Sequence, residues 1–119
     1  MLGINIFKVG VRLEVFGRVQ GVNFRKMVFE QCLKNDIKGF VRNLDNGNVE
    51  INAFGKRGKV KSLVEWIGNS PGLSSVENIL IDKLDYSSKY VSFEIVKENS
   101  FFVDQFKALK NLGGKLIGR

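Results

Sequence analysis

Three observations predict an α+β sandwich. Short stretches alternate apolar and polar residues as strands do, two stretches between them carry helical spacing, and glycines mark the joins. The elements run β-α-β-β-α-β plus a short last strand, which implies an antiparallel sheet with two helices on one face. At 119 residues the chain can bury one core without disulfide or metal staples.

The first strand spans Val9 to Val15, with Val9, Val11, Leu13 and Val15 on one face and Gly10, Arg12 and Glu14 on the other. Gly17-Arg18-Val19-Gln20-Gly21 then turns the backbone. Asn23 stands where a helix N-cap belongs, and its role is read as that cap alone. The helix runs to about Asn35, with Phe24, Val28 and Cys32 four residues apart.

A second strand covers Ile37 to Leu44. Asp45-Asn46-Gly47-Asn48 follows, and Asn-Gly is a hairpin signal. Val49, Ile51 and Ala53 alternate with Glu50, Asn52 and Phe54 in a third, antiparallel strand. Gly55-Lys56-Arg57-Gly58-Lys59 reads as a solvated basic connection without the spacing of a nucleotide-binding phosphate loop. Val60, Leu63, Val64 and Ile67 mark a second helix, closed by Gly68 and Ser70-Pro71-Gly72. Val76 to Leu84 is a strand with Ile79 and Ile81 on one face. Asp85 to Lys89 reads as a polar turn, and Tyr90 to Val96 as a last strand with Val91, Phe93 and Ile95 inward. This order is the split βαβ, or ferredoxin-like, arrangement.

Residues 99–119 fall outside that pattern, so the chain divides into a domain at 1–98 and a C-terminal extension. Phe102, Phe106 and Leu109 recur at helical spacing, with four cations against one acid from 100 onward. The first reading is a short amphipathic helix docked on the domain itself. A homodimer contact is second, and attachment to an anionic membrane surface is third.

Composition narrows the chemistry. The chain has no histidine, which excludes Ser–His and Cys–His nucleophile pairs and any histidine metal site. Cys32 is its one cysteine, lies inside a helical pattern and reads as a buried small hydrophobe. A reducing cytoplasm follows as the expected compartment. Met1 to Phe7 is apolar but lacks a basic start, and is too short for a signal peptide or a membrane span. A net charge of +7 favours anionic partners without choosing among them.

The choice comes from Gly17-Arg18-Val19-Gln20-Gly21-Val22-Asn23-Phe24-Arg25. Here a strand ends, glycines turn the backbone, and a helix begins with an arginine in its first turn. Open N–H groups, the positive end of the helix and a guanidinium converge, which describes a phosphate or carboxylate seat. An arginine there gains nothing from the helix dipole, so its placement hints at an anion.

This stretch resembles the signature loop of the acylphosphatases. Gly39-Phe40-Val41-Arg42-Asn43, followed by Asp45, Gly47 and Val49-Glu50, resembles their second signature. Ser70-Pro71-Gly72 before Val76 is similar to the family's turn after the second helix, so the likeness extends over roughly Val9 to Val96. Phe40 stands where the family commonly has tryptophan, and Asp36 where a glycine often follows the first helix.

The resemblance implies a ferredoxin-like sandwich that hydrolyses acyl phosphates to carboxylate and inorganic phosphate, with no metal or other cofactor. It implies that Arg25 binds the phosphoryl group and Asn43 positions the attacking water. The backbone amides of Gln20, Gly21, Val22, Asn23 and Phe24 would complete the cradle. Arg12, Arg18 and Arg42 are left as surface charges. The alternative is a non-catalytic binding module for a phosphorylated or carbamoylated ligand or a partner protein. RNA is a weaker partner: Lys38-Gly39-Phe40 begins like an RNA-binding strand, but Val41-Arg42-Asn43 lacks the alternating aromatics on which bases stack.

Overall fold

Leu13 and Val15 of the first strand have no exposed surface, and the alternation that buries them sets the layers of the molecule. The computed structural model describes residues 7–97. Its elements are β1 (Lys8–Arg18), α1 (Phe24–Lys34), β2 (Lys38–Asn43), β3 (Val49–Lys56), α2 (Arg57–Gly68), β4 (Ser75–Leu84) and β5 (Phe93–Val96). The apolar run before Phe7 and the extension at 99–119, with its helix, dimer and membrane readings, lie outside the described residues.

The five strands form one sheet in the order β4-β1-β3-β2-β5. β1 pairs antiparallel with β3 and β4, and β2 antiparallel with β3, while the short β5 joins β2 in parallel. Leu13, Val15, Val41, Val49, Ile51 and Ala53 on one face form a single cluster with Phe24, Val28 and Cys32 of α1 and Leu63 and Ile67 of α2. Both helices therefore cover the same face. Each such buried aliphatic or aromatic side chain contributes about 1.5–3 kcal/mol.

Two segments differ from the sequence expectation. Gly55 and Lys56 belong to β3, and Arg57, Gly58 and Lys59 form the first turn of α2, so the basic stretch is not a loop. Lys56 pairs with Lys8 across the sheet, and the first turn is carried by Val60, Leu63 and Ile67 packing beyond it. Nor is there a turn from β4 directly into β5. The two strands lie on opposite edges of the sheet, so residues 85–92 must cross its open face. Tyr90 stacks on Phe54 at 5.4 Å with a 20° tilt, and Tyr86 meets the same ring edge-on at 6.4 Å. Val91, expected inside, is exposed because β5 begins only at Phe93.

The same open face corrects the reading of two arginines as plain surface charges. Glu50 is 6% exposed and accepts from Arg12 Nε at 2.7 Å and from Arg42 Nε at 2.6 Å. Arg42 lies directly opposite Glu50 in the ladder, so the pair is a product of register. The Glu50 hydrogen bond raises the Arg12 pKa above its ordinary value. Arg18 is exposed, as expected.

Gly39 sits inside β2 at φ +131°, and a Cβ there would lie 1.9 Å from the Asn52 carbonyl oxygen. That oxygen is fixed in the neighbouring strand, so neither partner can yield cheaply. Gly39→Ala is expected to destabilise the fold by about 3 kcal/mol or more in urea denaturation. A variant as stable as the parent would contradict the close approach.

Candidate active site

α1 opens without a side-chain cap. Asn23 occupies the N-cap position, as expected, but in a left-handed conformation (φ 64°, ψ 22°), and its side chain makes no capping hydrogen bond. Only the backbone serves, with Met27 N–H donating to the Asn23 carbonyl at 3.2 Å. The loop before it is pinned from within, because Val19, Val22 and Phe24 are buried in the core. Gly21, at φ +74°, gives the intervening backbone its left-handed step. Among the described residues, no backbone–backbone hydrogen bond uses an N–H of Gln20, Gly21, Val22, Asn23 or Phe24 as donor. Successive open amides in a tight loop at a helix N-terminus make an anion-binding concavity.

Arg25 is the second residue of α1, and its Nη1 donates to the Val96 carbonyl at 3.2 Å. That contact ties the guanidinium to the end of β5, which lies beside β2 in the sheet. Asn43 is the last residue of β2 and is held opposite Val49 of β3. It has a polar partner, while its side-chain Oδ1 is buried and accepts no hydrogen bond within the described residues.

These groups border one cavity of about 530 Å³. Gln20, Gly21, Asn23, Phe24, Arg25 and Asn43 line it, together with Val19, Lys26, Phe29, Glu30, Ile95 and Lys97. Of the residues expected from sequence, Val22 alone is not on the lining, since its side chain turns into the core. The apolar wall of Phe29 and Ile95 and the cations Lys26 and Lys97 were not singled out from sequence. Phe29 lies on the helix already read, but Ile95 and Lys97 reach the site only through the parallel pairing of β5. Among the described residues no group of His, Cys, Asp or Glu could hold a metal ion. Cys32 is fully buried, and burial pushes its thiol pKa up to about 12, which leaves it a core residue rather than a nucleophile.

A loop with a glycine turn, a helix start bearing an arginine and an asparagine at a strand end thus share one cavity, and the sequence matches known proteins. Residues 11–95 fit the acylphosphatase family model. The chain belongs to the acylphosphatase family. An acylphosphatase of Anaeromyxobacter dehalogenans is 36% identical over 88 residues, covering 74% of this chain and 95% of that one. The acylphosphatase structure from Coxiella burnetii superposes with a TM-score of 0.73 at 29% identity, covering 80% of this chain and 99% of the other. The Bacillus subtilis acylphosphatase gives 0.71 at 36% identity, covering 74% and 98%. The ferredoxin-like fold and the acylphosphatase activity expected from the two motifs stand on these likenesses, and they do not favour a non-catalytic binding module. No helix among the described residues is long and apolar enough to cross a membrane.

The hairpin that follows Asn43 is itself anchored. Glu14 of β1 accepts from Asn48 Nδ2 at 2.7 Å and from Asn46 Nδ2 at 3.2 Å. These hydrogen bonds, with that of Asn48 the larger, lower the Glu14 pKa below the usual carboxylate value. Within the turn, Leu44 N–H donates to the Asn48 carbonyl at 2.8 Å and Gly47 N–H to the Leu44 carbonyl at 3.2 Å. Asp36 adopts φ 55° and ion-pairs with Lys38 at 2.9 Å. That left-handed backbone is one glycine would adopt without strain.

Proposed function

We propose that Arg25 and the amides of Gln20 to Phe24 bind the phosphoryl group of an acyl phosphate, and that Asn43 orients the water that attacks it. The water oxygen forms a bond to phosphorus as the bond from phosphorus to the acyl oxygen breaks. The products are a carboxylate and inorganic phosphate, and the water's proton passes to phosphate or solvent.

The leaving carboxylate is already a stable anion, so no general acid is required. What remains is to align the water and to neutralise charge on the phosphoryl oxygens. A guanidinium suits the second task because it stays charged and offers a planar fork to two oxygens. A neutral amide suits the first, since it can accept from and donate to water without acting as a base. Phe29 and Ile95 would lie beside the acyl portion. The reading needs no metal or other cofactor. A cytoplasmic location belongs to the same proposal, because a single buried thiol suits a reducing compartment.

The observation that supports this most directly is the convergence of the 20–24 loop, Arg25 and Asn43 on one cavity. The test is phosphate release from acetyl or benzoyl phosphate by the purified chain in the presence of a metal chelator. Turnover is expected. Folded protein that neither turns over these substrates nor binds inorganic phosphate would overturn the proposal.

A further inference from the structure

We propose that the side chain of Gln20 is a positioning residue that aligns Asn43 with the phosphate loop. This rests on the reading of Asn43 as the water-orienting group.

Gln20 belongs to the loop whose amides face the cavity, yet its side-chain amide is spent elsewhere. Nε2 donates to the Leu44 carbonyl at 2.8 Å and to the Asn48 carbonyl at 2.9 Å. An amide nitrogen carries two protons, so both are used. The two acceptors stand at the mouth of the hairpin, where Leu44 N–H already donates to the Asn48 carbonyl. Gln20 thus spans the turn from the cavity side. Leu44 is the next residue after Asn43, and its N–H, in the peptide unit that joins the two, donates to the same Asn48 carbonyl that Gln20 holds, so a shift of that carbonyl is passed to Asn43. The other end of the clamp is the backbone of the anion loop, five residues before Arg25. One side chain therefore sets the distance between the two halves of the site, which come from β2 and from the β1–α1 loop.

The residue type fits this task. Two neutral carbonyls call for two donors without charge. A carboxylate in the same place would face two carbonyl oxygens, and a lysine would bring a cation to compete for the phosphoryl group. The hairpin does not owe its existence to the clamp, because Glu14 anchors Asn46 and Asn48 from β1 and the turn closes on its own backbone bonds. Alignment, rather than folding, is what Gln20 adds.

The test compares wild type, Gln20→Met, Asn43→Ala and the double variant, using benzoyl phosphate as substrate and inorganic phosphate as competitive inhibitor. Gln20→Met keeps the length of the side chain but removes both donors. Its kcat is expected to fall about tenfold, within the ~10²-fold that a 1 Å misplacement can cost. The phosphate inhibition constant should stay within about threefold, with the cooperative melt retained. In the Asn43→Ala background the same change should cost less than about twofold more, because the group it positions is gone. Gln20→Glu, which keeps the shape and opposes the carbonyls, serves as the second variant and should lose at least as much. Equal losses in both backgrounds, phosphate affinity falling together with kcat, or an unaffected Gln20→Met beside an active wild type would overturn this inference alone. An inactive wild type that binds no phosphate would overturn it together with the reading beneath it.

Discussion

Arg25→Lys is expected to lower kcat/KM for a simple acyl phosphate by about 10²–10³-fold while leaving the protein folded. Arg25 Nη1 is engaged with the Val96 carbonyl at 3.2 Å, so the guanidinium is oriented by β5 before any substrate arrives. A planar group with several nitrogens can hold that carbonyl and still meet two phosphoryl oxygens. A lysine presents its three N–H donors from one nitrogen on a flexible stem, so it lacks the planar two-pronged grip on two phosphoryl oxygens. Charge is conserved in this substitution, so a large loss would report geometry rather than net electrostatics. Steady-state hydrolysis with a parallel thermal melt checks it, and activity within a few-fold of wild type would refute the assigned role.

Asn43→Ala is expected to reduce kcat by about 10²-fold or more while the inhibition constant of inorganic phosphate stays nearly constant. The split follows from where the groups originate. The 20–24 loop and Arg25 belong to the β1–α1 connection and the first turn of α1, whereas Asn43 reaches the same cavity from the end of β2. Removing its amide should leave the cradle standing. Alanine keeps the strand backbone and its ladder with Val49, so the fold should tolerate the change. Full turnover by Asn43→Ala would remove the asparagine from the mechanism. A parallel loss of phosphate binding would reassign it to the cradle.

Local pattern made much of this molecule legible. Phe24, Val28 and Cys32 sit one above another on α1 because four residues make about one turn, and all three are buried. Val49, Ile51 and Ala53 alternate into the core for the equally local reason that strand side chains alternate faces. The helix start at Phe24 and the tight turn before it were readable from glycines and a polar cap position. Arg25 and Asn43 could be singled out because each lies in a short motif in the right order along the chain.

Misreadings arose where pairing or packing overrides composition. Gly55 to Lys59 has no apolar period, yet β1 draws its first two residues into a strand and the α2 core face carries the rest into a helix. Residues 85–92 look like a turn and a strand, but the pairing of β5 with β2 obliges them to cross the sheet. Arg12 and Arg42 look solvated until register sets them on either side of Glu50.

Elsewhere the element types, the core faces and the two motifs follow from the chain alone, because periodicity and turn chemistry act over a few residues. Long-range packing sets the contact of Arg25 with Val96, the hydrogen bonds of Gln20 to Leu44 and Asn48, and the place of Asn43 on the cavity that Gly21 and Arg25 also line. The partners of these three hydrogen bonds lie 71, 24 and 28 residues apart along the chain. No local pattern encodes such contacts; they exist because the sheet order brings β5 beside β2 and the hairpin beneath the loop.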